Sequence, residues 1–133
     1  MPSIRVLCNP FPKETKKALG FALCTELKRI LGVPIIETYF HELDEFYVLT
    51  QEFAVHDGTV EPGAATLIIN GPVREQAVLQ DVCASLTAAF REVTGKPDYE
   101  VITVYHVIEG DYIGSNGRIH SLRGKKPQGE DTG

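Results

Sequence analysis

The strongest constraint on this chain is that its pattern is written twice. Leu23, Gly32 and Pro34 recur as Leu86, Gly95 and Pro97, each 63 residues later, and Pro10 recurs as Pro72 after 62. His41 and Tyr47 recur as His106 and Tyr112 after 65. A near-constant offset with two small insertions marks two copies of one strand–turn–helix–stop–strand unit. Two copies at so long a period exclude a solenoid. Two β-α-β units fused head to tail predict an α+β fold, a two-layer sandwich in which one four-stranded sheet carries both helices on one face. The repeats cover about residues 2–49 and 64–118 of a single domain, 1–122. The tail 123–133 is polar and aperiodic, and is expected to be mobile.

Local signals fill in the units. Residues 3–8 alternate and are rich in β-branched side chains, which reads as a strand, and Asn9-Pro10-Phe11-Pro12 is turn chemistry. From Lys13, Leu19, Leu23, Leu27 and Ile30 or Leu31 form one helical stripe, with Lys13, Lys16 and Lys17 off it and solvated. Gly32-Val33-Pro34 stops that helix, and Ile35 to His41 is a second strand. Residues 42–49 are expected to be a strand end with a hairpin or loop, and Asp57-Gly58 a turn closing a small hairpin. In the second copy, Ala65 to Asn70 is a strand and Gly71-Pro72 a turn. Glu75 to Val93 is a helix with Leu79, Val82, Leu86, Ala89, Phe90 and Val93 on one face. Glu100 to Ile108 is the last long strand, and Asn116-Gly117 turns a closing hairpin.

Composition narrows the function classes. The chain has 133 residues, 43% of them hydrophobic and 23% charged, enough for one packed core. A net charge of −5 argues against a nucleic-acid partner, although a local basic pocket still suits a small anion. The apolar runs are too short to span a membrane, and no signal peptide is evident, so a cytoplasmic location is expected. Cys8, Cys24 and Cys83 lie in apolar segments and read as reduced core thiols. His41 and His106 are repeat features and His56 and His120 fall in loops. With no close His/Cys/Asp spacing, no metal and no other cofactor is expected. Neither a Gly-rich phosphate loop nor a Gly-x-Ser-x-Gly motif is present.

Three places carry chemistry. Pro2 follows Met1, and removal of Met1 would leave a secondary amine at the end of a buried strand; a small second residue is also unremarkable in itself. An α-amino group titrates closer to neutrality than a lysine. Arg74 stands at the second strand–helix turn, where a guanidinium and backbone N–H groups can receive a carboxylate, or where it is simply solvated. Lys13 holds nearly the corresponding place in the first copy. Tyr112 and Arg118, on the closing segment, face a pocket or pack against a neighbouring subunit, and Arg5 on the first strand has the same two options. The carboxylates Glu42, Asp44, Glu109 and Asp111 fall at equivalent strand ends, fit for acid–base work or for solvating loops. A sheet with both helices on one face leaves the other bare, and association of subunits is the simplest cover.

Met1-Pro2 before a short strand, two fused β-α-β units, an arginine at the second strand–helix junction and a Gly/Asn-rich closing hairpin together resemble the tautomerase superfamily. That group includes 4-oxalocrotonate tautomerase, macrophage migration inhibitory factor and the chloroacrylic acid dehalogenases. The resemblance spans about residues 2–120. It implies a homotrimer with pockets between subunits, acting on a small carboxylated keto or enol substrate. Pro2 is then the general base, Arg74 binds the substrate carboxylate, Tyr112 lines the pocket, and Arg118 is a further substrate-binding candidate. Burial and a nearby cation would each depress the amine pKa enough for Pro2 to act as a base. Two positions depart from the pattern. Ser115 stands where dehalogenase-like members carry a water-activating glutamate, and no second arginine flanks Arg74. The alternative is a non-catalytic ligand- or protein-binding module on the same fold; if Met1 is retained, Pro2 is an amide and cannot be a base.

Overall fold

A computed structural model of the chain describes residues 2–34, 36–43 and 63–122. Its order is β1 (Ser3–Cys8), α1 (Lys13–Leu31), β2 (Glu37–Glu42), β3 (Ala64–Gly71), α2 (Gln76–Thr94) and β4 (Glu100–Val107). A short 3-10 turn (Gly110–Tyr112), the hairpin β5 (Gly114–Ser115) and β6 (Arg118–Ile119), and a second 3-10 turn (His120–Leu122) follow. The hairpins expected within 44–62 and the tail 123–133 lie outside the described residues.

The four-stranded sheet has the order β2-β1-β3-β4. β1 pairs parallel with β2, β3 pairs parallel with β4, and the two units join through the antiparallel pair β1–β3. Each unit is thus a β-α-β crossover, as the repeat requires. The sequence offsets are structural equivalences. Both helices begin 63 residues apart, at Lys13 and Gln76, and both end at a left-handed glycine, Gly32 and Gly95, each at φ 69°. Leu7 lies opposite His41 and Asn70 opposite His106, so the two histidines occupy equivalent rungs.

Alternation decides which side is core. Ile4, Val6 and Cys8 of β1 and Ala65, Leu67 and Ile69 of β3 turn toward the helices and are buried. Leu19, Leu23, Leu27 and Leu31 of α1 and Val82, Leu86 and Phe90 of α2 cover them. Each such aliphatic side chain contributes about 1.5–3 kcal/mol of burial. The opposite face of the sheet is bare: Arg5, Tyr39, Ile102 and Val104 are exposed on it. Among the cysteines, only Cys8 fits the core expectation. Its thiol is pushed up to about 12 by burial, whereas Cys83 is exposed because it sits at the margin of the buried stripe of α2.

Candidate active site

An antiparallel central pair gives the sheet two distinct ends. β1 starts, β3 finishes and β4 finishes at one of them, the Pro2 end; the opposite end collects the close of β1 and the start of β3. Continuing the Ser3–Asn70 register by one residue sets Pro2 beside Gly71. Pro2 is half-buried, and its carbonyl accepts a 3.4 Å bond from the N–H of Glu37.

The Gly71-Pro72 turn carries Arg74 to the same end. Its Nη1 donates to the carbonyl of Val73 (2.9 Å) and its Nη2 to that of Leu31 (3.1 Å), in the last turn of α1. A cation there meets the negative end of the α1 dipole, which fixes the guanidinium. Two of the five guanidinium donors are engaged in this way, and the others remain for an anion.

Tyr105 completes the corner, and the sequence reading missed it. Its hydroxyl donates to the carbonyl of Pro72 at 2.6 Å, locking the turn from which Arg74 projects. Gly71 is required for that approach, since a Cβ there would lie 2.5 Å from the Tyr105 hydroxyl oxygen. Burial pushes the Tyr105 hydroxyl pKa up, and the Arg74 cation acts in the opposite sense. The signal for Tyr105 was the repeat: it lies opposite Ile69 as Phe40 lies opposite Val6, a polar-tipped ring where the first copy has a plain one. Between α2 and β4, a shallow cavity of about 270 Å³ flanks Tyr105, but its lining, including Gln76, Gln80 and Cys83, bears no cation.

The remaining candidates divide by end. Tyr112 and Arg118 lie beyond β4, in the segment that leaves the Pro2 end, tied there by the bond from the N–H of Ile108 to the carbonyl of Gly71 (2.8 Å). Tyr112 is 84% exposed, and Arg118 donates through Nε and Nη2 to the carbonyl of Leu122. Arg5 is exposed on the bare sheet face. Lys13 corrects the expected pairing with Arg74. The common helix start makes Gln76 its counterpart and Phe11 the counterpart of Arg74, and Lys13 sits at the far end. Glu42 is also at the far end, because the equivalence of the two units is a two-fold one and equivalent strand ends point opposite ways. Its carboxylate accepts from Lys16 Nζ and from the N–H of Phe11, both at 2.7 Å, and these bonds hold it below the usual carboxylate range. It is therefore a structural clip, remote from Glu109 and Asp111; Asp44 lies outside the described residues.

No family sequence model matches the chain, and no curated relative does. Its shape does find counterparts. Pt0534, solved after inactivation by 2-oxo-3-pentynoate, superposes with a TM-score of 0.72 at 18% identity, covering 90% of this chain and 96% of that one. A fused 4-OT, described as a symmetric trimer, gives 0.68 at 16% identity over 91% and 95% of the two chains. Macrophage migration inhibitory factor of Toxoplasma gondii gives 0.67 at 14% identity over 88% and 98%. The chain has the tautomerase fold.

Proposed function

We propose that this tautomerase-fold protein is a keto–enol tautomerase whose base is the amine of Pro2, freed by removal of Met1. The observation that carries the reading is the sheet register, which sets Pro2 beside Gly71, two residues before the Val73-Arg74 step at the same end. Arg74 holds the carboxylate of a small 2-keto or enol acid. The neutral amine takes the proton α to the carbonyl and returns it to another atom of the same conjugated system. Arg74 also stabilises the dienolate charge that appears between the two steps. Base catalysis of this kind is worth about 10²–10⁴-fold. Tyr105 keeps the turn and its arginine in place, while Tyr112 and Arg118 border the pocket. Assembly as a homotrimer covers the exposed face around Ile102 and Val104, as it does in a protein of this shape described as a symmetric trimer.

The test begins with intact mass. The reading expects loss of Met1 and a single adduct on Pro2 after treatment with 2-oxo-3-pentynoate. A Pro2→Ala variant is expected to lose at least about 10²-fold in kcat/KM on phenylenolpyruvate with an unchanged circular dichroism spectrum. Retention of Met1, or a Pro2→Ala variant as fast as the parent, overturns it and leaves a binding module.

A further inference from the structure

The helix layer has an outer surface that neither the core nor the candidate site uses. α1 presents one exposed stripe there, Lys17, Phe21, Thr25 and Lys28; α2 presents another, Asp81, Ala84, Ala88 and Glu92. Phe21 is 77% exposed, which is unusual for a phenylalanine and has no counterpart on α2. The helices run antiparallel, because each crosses back over a sheet whose two halves are themselves antiparallel. Their stripes lie side by side: Arg29 Nη2 reaches Ser85 Oγ at 3.4 Å, and Phe21 and Ala22 share a groove of about 500 Å³ with Ala89 and Val93.

The two stripes have the same spacing read in opposite directions. From Lys17 the steps are four, four and three residues to Phe21, Thr25 and Lys28; from Glu92 they are four, four and three back to Ala88, Ala84 and Asp81. One stripe is a ring and a small side chain between two cations. Its partner is two alanines between two anions. Each is the complement of the other in both charge and bulk.

We infer that the helix layer is a docking face for a second copy of this chain, stacked about a two-fold axis running along the helices. That axis lays each α1 over the partner copy's α2 with the chains antiparallel. Lys17 then meets Glu92, Phe21 beds on Ala88, Thr25 faces Ala84, and Lys28 meets Asp81, and the symmetry makes every pair twice. The occupant is a second copy because the complement of each stripe stands on the same surface. An unrelated partner would need only one of the two. The face is opposite the bare side of the sheet, so both contacts can be made at once, and the helix contact doubles whatever particle the sheet contact forms. The inference does not depend on Pro2 or on any catalytic activity.

Sedimentation velocity of the full chain tests it. The parent is expected to have twice the particle mass of a Phe21→Asp variant at the same concentration, and high salt is expected to shift the parent toward the smaller particle. Lys17→Glu with Lys28→Glu is expected to halve the mass, and adding Asp81→Lys with Glu92→Lys to that same chain to restore it. All eight stripe positions are exposed, and circular dichroism is expected to show each variant folded. A parent with the same mass as Phe21→Asp, or a fourfold charge exchange that stays at the smaller mass, overturns the inference.

Discussion

The two ends of the sheet are built by the same repeated unit, yet one is filled and the other is left chemically equipped. At the far end, Phe11, Phe90 and Tyr99 form a cluster with ring centroids 5.0–6.1 Å apart. Tyr99 is fully buried, and its hydroxyl donates to the side-chain oxygen of the buried Asn9. Its ring lies so close to Gly63 that a Cβ there would come within 2.5 Å. At the Pro2 end the corresponding places hold Arg74 for Phe11 and Leu27 for Phe90, 63 residues away in each case. A tyrosine closes the strand–helix turn at both ends, onto a side chain at one and onto the Pro72 carbonyl at the other. Exchanging aromatic bulk for a cation turns a plug into a candidate site. The far end supplies rigidity, and the Pro2 end can then hold a guanidinium and an amine without having to stabilise the fold.

That division can be broken experimentally. The largest effect is expected from Tyr99→Ala, which removes a buried ring and strands Asn9; it should cost about 3–5 kcal/mol in denaturant unfolding. A loss below about 1 kcal/mol would show that the far end is not a plug. Next comes Arg74→Ala, expected to raise KM for a carboxylated substrate about 10- to 100-fold with little change in unfolding midpoint, while Arg74→Lys recovers only part because it cannot span the same acceptors. A variant that unfolds early with KM unchanged would make Arg74 a structural residue like its counterpart Phe11. Smallest is Glu42→Gln. The carboxyl is held below its ordinary range in the fold, so its stabilisation is present above the unfolded pKa of about 4.3 and is lost as pH falls through the lower folded value. Thermal melts should show the parent ahead at pH 7 by less than about 1 kcal/mol, and level with Glu42→Gln in strong acid.

The sequence was most legible where one rule acted alone. Helical periodicity placed Leu19, Leu23 and Leu27 in the core, glycine stops ended both helices, and a constant offset predicted two equivalent crossovers. The offset was less safe for choosing counterparts. Aligning the turns by their prolines paired Lys13 with Arg74, but both helices start at one common offset, and that pairs Arg74 with Phe11. Equivalence in sequence also hid direction. Glu42 and Glu109 follow matching strands, and only the antiparallel joint between β1 and β3 reveals that these strands leave opposite ends. Tyr105 was invisible as a site residue because alternation labels it simply as a helix-facing strand position. Its importance comes from a hydroxyl reaching a carbonyl 33 residues away in sequence, a contact that no local pattern encodes.

The bond from Tyr99 to Asn9 also bears on the order in which the molecule is made. It joins residues 90 positions apart, linking the close of the first strand to the residue just ahead of the last. Contacts of that span form late, since the intervening loop must be closed before they reward the chain. A growing chain that has only its first repeat can lay β2 beside β1, but the end of β1 stays open until the second helix and Tyr99 have emerged. The first repeat is therefore not a self-sufficient module despite its complete β-α-β pattern. Its own core is finished by a residue of the second, and fusion of the two units is a condition of folding as well as of symmetry.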